Sequence, residues 1–235
     1  MAPAIAGFVV FLYGFKALFV LAGIIYLISA IPLFYLPEFP FNDKFSFGTF
    51  VKLVRKYPHY LVAEIFENVR EDAEGIIWPV VVYLNFRDVL SIGYIGTISG
   101  VGSILFVLLV GKYTDRINKQ KLLAAGAFIM ALIWVSRYYV STPLPSYALT
   151  LVASFFAALI LIPINSIVYG VAKREGAANF ILFREFAVTI GRLLLWLFAF
   201  LVISSVNYIF IFTALACLGL VYISRSNLED GLKGE

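Results

Sequence analysis

The chain has few of the side chains on which soluble enzymes rely for chemistry. Its 235 residues include one cysteine, Cys217, and one histidine, His59. A single cysteine excludes a disulfide within the chain and a thiolate metal site. The lone histidine has no readable pattern of nucleophile or metal ligands around it. The sequence therefore predicts no catalytic site, no metal site and no cofactor, and we do not expect an enzyme.

Charged residues are also scarce, at 14% of the chain against 62% hydrophobic residues. A soluble domain of this size cannot bury that much apolar surface, so the composition predicts an integral membrane protein in a lipid bilayer. The net charge of +4 does not indicate a nucleic-acid partner. The cations cluster in short loops between apolar runs, where they set membrane topology.

Seven apolar runs have the length that a helix needs to cross a hydrocarbon core of about 30 Å. They cover residues 17–36, 60–84, 91–110, 122–140, 146–170, about 180–203 and 206–223. A shorter run, 4–13, would rise only about 15 Å as a helix, and we expect it to be the tail of a span that begins outside the chain. The sequence thus predicts an all-α, polytopic transmembrane helix bundle.

The runs divide the chain into four predicted segments. These are the end of one half with a partial and a full span (1–36), a cytoplasmic linker (37–59), a six-helix transmembrane half (60–224) and a cytoplasmic tail (225–235). Thirteen of the 18 Lys and Arg residues fall in bends and ends on the side of the linker. This bias predicts that the linker and the C-terminus face the cytoplasm across the cytoplasmic (inner) membrane. Within the linker, residues 45–54 form either an amphipathic helix on anionic lipid or a plain loop.

A basic turn at residues 111–121 carries the most specific pattern in the chain, Gly-x-x-x-Asp-Arg-x-x-Lys-x-Lys. Its positions are Gly111, Asp115, Arg116, Lys119 and Lys121. We expect Gly111 to end one helix and Asp115 to precede the next, where a carboxylate meets the positive end of the helix dipole. The pattern resembles the cytoplasmic loop signature of the major facilitator superfamily of transporters. Asn118 stands where that family usually has glycine, and asparagine also tolerates a left-handed backbone.

Two further stretches are similar to the same family. Residues 2–19 resemble its junction between the fifth and sixth spans, and residues 183–192 resemble the charged start of its eleventh helix. The resemblance implies the C-terminal six-helix half of such a transporter, with the linker and one preceding span. It further implies a small-molecule solute moved by alternating access and a charge lock at the basic turn. The chain would then need the missing N-terminal half or a second copy, unless it is a truncated product.

Four acids form a stripe along one face of the predicted span 60–84, since their spacings are three, four and three residues. They are Glu64, Glu67, Glu71 and Glu74. Glu74 lies about 21 Å along the helix from the inner edge, at a depth where a carboxylate must face water or a partner, or be protonated. Arg70 is near enough to compensate Glu67 or Glu74. Either these residues line the substrate path and exchange protons, or they form a fixed ion-pair network.

Two polar residues in later spans are further candidates for the substrate path. Asn165 follows Pro163 near the inner end of its span, and a proline inside a membrane helix leaves a carbonyl that needs protein or water nearby. Arg192 lies deeper than snorkelling requires, so we expect it to pair with an acid on another helix or to contact an anion. The sequence leaves the identity of that acid open.

The alternative function is a membrane interaction or assembly protein, in which the acidic stripe and the basic turn are structural. A stable protein partner without any ligand-dependent thermal shift would favour this alternative over a transporter. A membrane-embedded enzyme is a third interpretation, and it lacks the paired nucleophile and base that it requires.

The charge distribution makes a prediction about topology. Single cysteines that replace Arg116 and Lys173, in a Cys217→Ser background, should react with a membrane-impermeant maleimide from the same side, because both lie in basic bends. A cysteine that replaces Arg87 is the control and should react from the opposite side. Labelling of the first two positions from different sides would contradict the predicted topology.

Overall fold

The computed structural model describes residues 2–35, 46–114, 118–202, 205 and 207–225. Helix accounts for 93% of these residues, and none of them lies in a β-strand. The helices are α1 (Ala2–Ala30), α2 (Phe47–Lys56), α3 (Pro58–Asp72), α4 (Trp78–Phe86), α5 (Val89–Thr114), α6 (Lys119–Arg137), α7 (Pro143–Glu175), α8 (Ala177–Leu201) and α9 (Asn207–Ser224). A 3₁₀ turn, Ile31–Tyr35, follows α1, and a π-helical turn, Ala73–Ile77, joins α3 to α4.

Five of the described helices are long and apolar enough to cross a membrane. They are α1 with its 3₁₀ turn, α5, α6, α7 and α9. The protein is therefore all-helical and membrane-embedded, as the composition predicted. The other two predicted spans are also helical but carry more charge. The run 60–84 is divided among α3, the π turn and α4, and the run 180–203 corresponds to α8.

The first helix contains a break between the two apolar runs expected there. Gly14 has a φ of +78°, a conformation that residues with a side chain rarely adopt. The first piece packs against α5, whereas residues 15–30, beyond this point, are mostly exposed. A methyl group on Gly93 would lie 2.9 Å from the carbonyl oxygen of Pro3. The backbone N–H of Ala4 donates a hydrogen bond to the Thr97 hydroxyl at 2.9 Å, so the two helices are in direct contact.

The described part of the predicted linker is an amphipathic helix rather than a loop. Leu53 of α2 is fully buried, and the Phe50 ring packs edge-on against Phe186 of α8 with 5.3 Å between ring centroids. Lys52 and Arg55, on the other face, are exposed. The helix therefore presents basic side chains to its surroundings while its apolar face is held by the bundle. Residues 36–45 of the linker region and 226–235 of the tail lie outside the described residues.

The start of the basic turn differs from the prediction. Helix α5 continues to Thr114, so Gly111 lies inside the helix and does not end it. A methyl group on Gly111 would meet nothing within 4 Å, and no close approach requires glycine at this position. Asp115 and Arg116 lie outside the described residues.

The end of the basic turn is a helix cap. Asn118 has an extended backbone with a φ of −61° and a ψ of 117°, so it does not use the left-handed conformation that we expected asparagine to provide. Its side-chain oxygen accepts hydrogen bonds from the backbone N–H groups of Gln120 and Lys121, at 2.9 and 3.3 Å. Asparagine is favoured here because it satisfies N–H groups that the first helical turn leaves unpaired.

Helix α3 packs against both α8 and α9, and small residues allow the close approach. A methyl group on Gly191 of α8 would lie 2.5 Å from the carbonyl oxygen of Ile65. A methyl group on Gly219 of α9 would lie 2.5 Å from the ring of Phe66. Glycine at both positions therefore sets the distance between α3 and its neighbours, as small residues do at helix interfaces in lipid.

This packing makes a prediction about stability. Gly191→Ala should destabilise the fold by about 1–3 kcal/mol, because the new methyl group collides with rigid backbone and forces α3 and α8 apart. Gly100→Ala is the matched control, since a methyl group on Gly100 meets nothing within 4 Å. Unfolding in detergent measures both variants. A Gly191→Ala protein as stable as the Gly100→Ala protein would contradict the tight packing of α3 on α8.

Candidate functional site

The acidic stripe is the centre of a network of ion pairs. Five acids lie on α3 and the π turn, and four of them meet an arginine. The pairs are Glu64 with Arg184 at 3.2 Å, Glu67 with Arg70 at 2.5 Å, Asp72 with Arg192 at 3.4 Å, and Glu74 with Arg137 at 2.6 Å. Their partners come from α3 itself, from α6 and from α8. The fifth acid, Glu71, has no ion pair or hydrogen bond with the described residues.

Arg70 compensates Glu67, one of the two acids within its reach. Its Nε donates to Oε2 of Glu67 at 2.8 Å, and its Nη2 donates to Oε1 at 2.5 Å. The two side chains are only 5% and 4% exposed. A two-point arginine–carboxylate contact of this kind fixes orientation as well as charge. The two charges therefore neutralise each other within α3, and Arg70 does not also pair with Glu74.

Glu74 instead meets Arg137, the last residue of α6. Both terminal nitrogens of the Arg137 guanidinium donate to the Glu74 carboxylate, each at 2.6 Å. The arginine side chain is fully buried and lies between two indole rings, 4.3 Å from the centroid of Trp78 and 4.4 Å from that of Trp134. Stacking on both aromatic faces adds a cation–π attraction to the ion pair. The ion pair between Glu74 and Arg137 therefore holds the π turn against the end of α6.

The sequence analysis did not identify Arg137 as the partner of Glu74. The pair joins residues 63 positions apart in the chain, so only the folded arrangement of α6 brings it together. One local signal was present: Trp134 precedes Arg137 by three residues, a spacing that places the two side chains on one helix face. That spacing indicates stacking, although it does not identify the acid.

Helix α8 contributes two arginines that face α3 in register. Arg184 meets Glu64 and Arg192 meets Asp72, so an eight-residue step on one helix matches an eight-residue step on the other. The equal steps show that α3 and α8 run parallel. Glu64 is buried and also accepts hydrogen bonds from the Tyr60 hydroxyl and the Asn68 side chain. The partner of Arg192, which the sequence left open, is thus an acid outside the predicted stripe.

A cavity of about 220 Å³ lies beside this network, between the π turn, α5 and α7. Its charged and hydroxyl-bearing lining residues are Arg70, Glu71, Glu74, Ser99, Ser103 and Ser154. The π turn forms one wall, and such turns widen a helix locally and are frequent at functional sites. The described structure therefore combines a polar cavity, a local distortion of the helix and several ionisable side chains in one place.

The predicted substrate-path residues fall into two groups. Arg70, Glu71 and Glu74 line the cavity, and Glu67 touches it only through its pair with Arg70. Asn165 and Arg192 are not among the lining residues. Of the four acids that the sequence predicts on one helix face, Glu71 and Glu74 line the cavity, whereas Glu64 and Glu67 do not. The later helices contribute serines, which carry no charge pattern that could have indicated them.

Lys119 of the basic turn makes a contact across the bundle. The Lys119 ammonium donates a hydrogen bond to the Ser166 hydroxyl at 2.6 Å, which ties the start of α6 to α7. Lys121 is exposed.

Near the same end of α7, Glu175 accepts hydrogen bonds from Lys56 at 2.5 Å and from the Tyr57 hydroxyl at 2.8 Å. The contact with Glu175 raises the pKa of the Lys56 ammonium, and it joins α2 to α7.

Comparisons with known proteins do not assign the chain to a family. No protein-family model matches it, and no curated protein matches it at a significant level. The likeness to the major facilitator superfamily therefore stays a prediction. The function has to be argued from the ion pairs and the cavity themselves.

The buried pair makes a prediction about stability. Arg137→Gln should destabilise the fold by about 3–5 kcal/mol, because it leaves the Glu74 carboxylate without its counter-charge in a poorly solvated place. Adding Glu74→Gln should recover part of that loss. Arg192→Gln is the comparison, and its cost should be smaller, because Arg192 meets Asp72 through a single contact at 3.4 Å and its side chain is 54% exposed rather than enclosed by other helices. Equal costs for Arg137→Gln and Arg192→Gln in detergent unfolding would contradict the assigned burial.

Proposed function

We propose that the chain is one six-helix half, with a linker and a preceding span, of a secondary active transporter of the major facilitator type. The observation that carries the proposal is the polar cavity between α5, α7 and the π turn, with ionisable side chains in its wall. Charged groups among membrane helices are costly and are found mainly where ions or substrates pass. At about 220 Å³, the cavity is smaller than pockets for drug-sized ligands, which favours a small solute.

In this proposal the solute moves by alternating access between two halves. The second half is the N-terminal half or a second copy of this chain, and it covers the cavity from the side where Glu71 is exposed. The basic bends face the cytoplasm across an inner membrane, as the distribution of Lys and Arg supports. The π turn Ala73–Ile77 supports a moving role for this helix, because a locally widened helix bends more easily than a regular one.

We assign proton coupling to Glu71 rather than to Glu74. Glu67 and Glu74 are each held by two hydrogen bonds to an arginine, and a contact of this kind fixes the position of the carboxylate. Glu71 lines the cavity without such a partner among the described residues. It is therefore the acid of the stripe that is open to the contents of the cavity.

A membrane assembly protein remains the second candidate because of one observation. Four of the five acids on α3 and the π turn are neutralised within the described structure, as a fixed structural network would require. The two functions differ in whether the cavity opens to both sides of the membrane. Only a transporter needs to expose the same wall to each side in turn.

Accessibility of the cavity wall tests the proposal. In proteoliposomes of the Cys217→Ser protein, a cysteine that replaces Ser103 should react with a membrane-impermeant thiol reagent applied to either side, because alternating access wets the cavity from both. The neighbouring residue Ile104 is 65% exposed on the outer helix surface, and a cysteine there should stay unreactive in lipid. Reaction at position 103 from one side only, or from neither, would favour the assembly protein over a transporter that two copies of this chain form.

A further inference from the structure

The charges in the cavity wall are not balanced, and this imbalance indicates the class of solute. The inference rests on the proposed function and deepens it. Of the three charged side chains that line the cavity, Arg70 is neutralised by Glu67, and Glu74 is neutralised by Arg137. Glu71 is the third, and no described residue forms an ion pair with it. The wall therefore presents one uncompensated carboxylate.

The arginines of the surrounding helices are already engaged. Arg184 and Arg192 of α8 meet Glu64 and Asp72, and they are not among the residues that line the cavity. The described wall thus offers a negative charge without an unmatched positive one. An anionic solute would enter against the field of Glu71, whereas a cationic solute would gain from it, and the gain is largest where little water screens the charges.

The uncharged polar groups of the wall are suited to the same kind of ligand. Ser99 and Ser103 of α5 and Ser154 of α7 line the cavity with hydroxyl groups. The Ser154 hydroxyl donates its hydrogen to the backbone carbonyl of Thr150 at 2.9 Å, so only the lone pairs of its oxygen are left for a ligand. Oxygen lone pairs accept hydrogen bonds from ammonium groups and coordinate alkali-metal ions. The remaining lining is apolar and combines small residues such as Ala153 and Ala157 with the larger Val107 and Leu161.

We propose that this cavity binds a monovalent cation no larger than a small organic ammonium compound, with its charge against Glu71 and its remainder against the serine and alanine side chains of α5 and α7. The chemistry shared by an organic ammonium and an alkali-metal ion is a single positive charge that oxygen atoms surround. Glu71 supplies the charge that selects the ligand. Arg70 and Arg137 are already paired with Glu67 and Glu74, so neither arginine neutralises the charge of Glu71.

Equilibrium binding to the purified full chain tests this proposal with a matched pair of probes. Choline and 3,3-dimethyl-1-butanol have nearly the same shape and differ in charge. Choline should bind at least about tenfold more tightly than the neutral alcohol. Titration with sodium chloride separates the two sources of positive charge: if sodium displaces choline, the site accepts an alkali-metal ion as well as an organic cation.

Two variants locate the charge that selects the ligand. Glu71→Gln should weaken choline binding about tenfold and leave the weak binding of the alcohol unchanged. Glu185→Gln is the control, because Glu185 is an exposed carboxylate on α8 outside the cavity lining, and its choline affinity should equal that of the parent chain. The unfolding midpoint of each variant without ligand shows that it is folded, which we expect since both glutamates are exposed.

The remaining outcomes overturn the proposal. Equal binding of choline and the alcohol, or full choline affinity in folded Glu71→Gln, would show that the cavity does not select a cation through this carboxylate. Failure of choline and sodium to bind would do the same. The accessibility of position 103 from both sides does not depend on the charge of the ligand, so these failures leave the transporter itself to be judged by that separate measurement.

Discussion

The central constraint on this protein is that a hydrocarbon environment does not solvate charge. Helix α3 and the π turn carry five acids into a bundle whose neighbouring helices are long and apolar. Each of these carboxylates needs a counter-charge, water or a proton. The arrangement of α3, α6 and α8 follows from this requirement, because arginines from these helices meet four of the five acids. Packing of apolar side chains alone would not fix the helices in this register, since lipid contacts such surfaces equally well.

The ion pairs differ in how firmly they hold. Glu67 with Arg70, and Glu74 with Arg137, are buried contacts with two hydrogen bonds each. Asp72 with Arg192 is a single contact with an arginine that is largely exposed. A single contact holds two side chains less firmly than a buried contact with two hydrogen bonds. The pair of Glu74 with Arg137 therefore fixes the π turn to the end of α6, while the contact of Asp72 with α8 is held only loosely.

Much of the helical architecture could be predicted from hydrophobic length, but less of the site. Helix α7, Pro143–Glu175, extends beyond the predicted run 146–170 at both ends, since a helix continues into polar residues once its apolar part is packed. Gly111 was wrongly expected to end a helix, because glycine at a helix end is a tendency and not a rule. The spacing of the acids predicted that they share one helix face. Their pairing with Arg137 and Arg192, however, depends on tertiary packing between helices. No local pattern in one sequence encodes contacts of that range.

The position of the aromatic rings around Arg137 has a consequence for spectroscopy. The chain contains three tryptophans, and two of them, Trp78 and Trp134, lie on either side of the Arg137 guanidinium. Two of the three tryptophans, which give a protein its intrinsic ultraviolet emission, therefore lie beside the π turn and the end of α6. Any rearrangement that separates Glu74 from Arg137 alters the surroundings of two of the three fluorophores, so the native protein carries its own optical reporter of the cavity wall without an added dye.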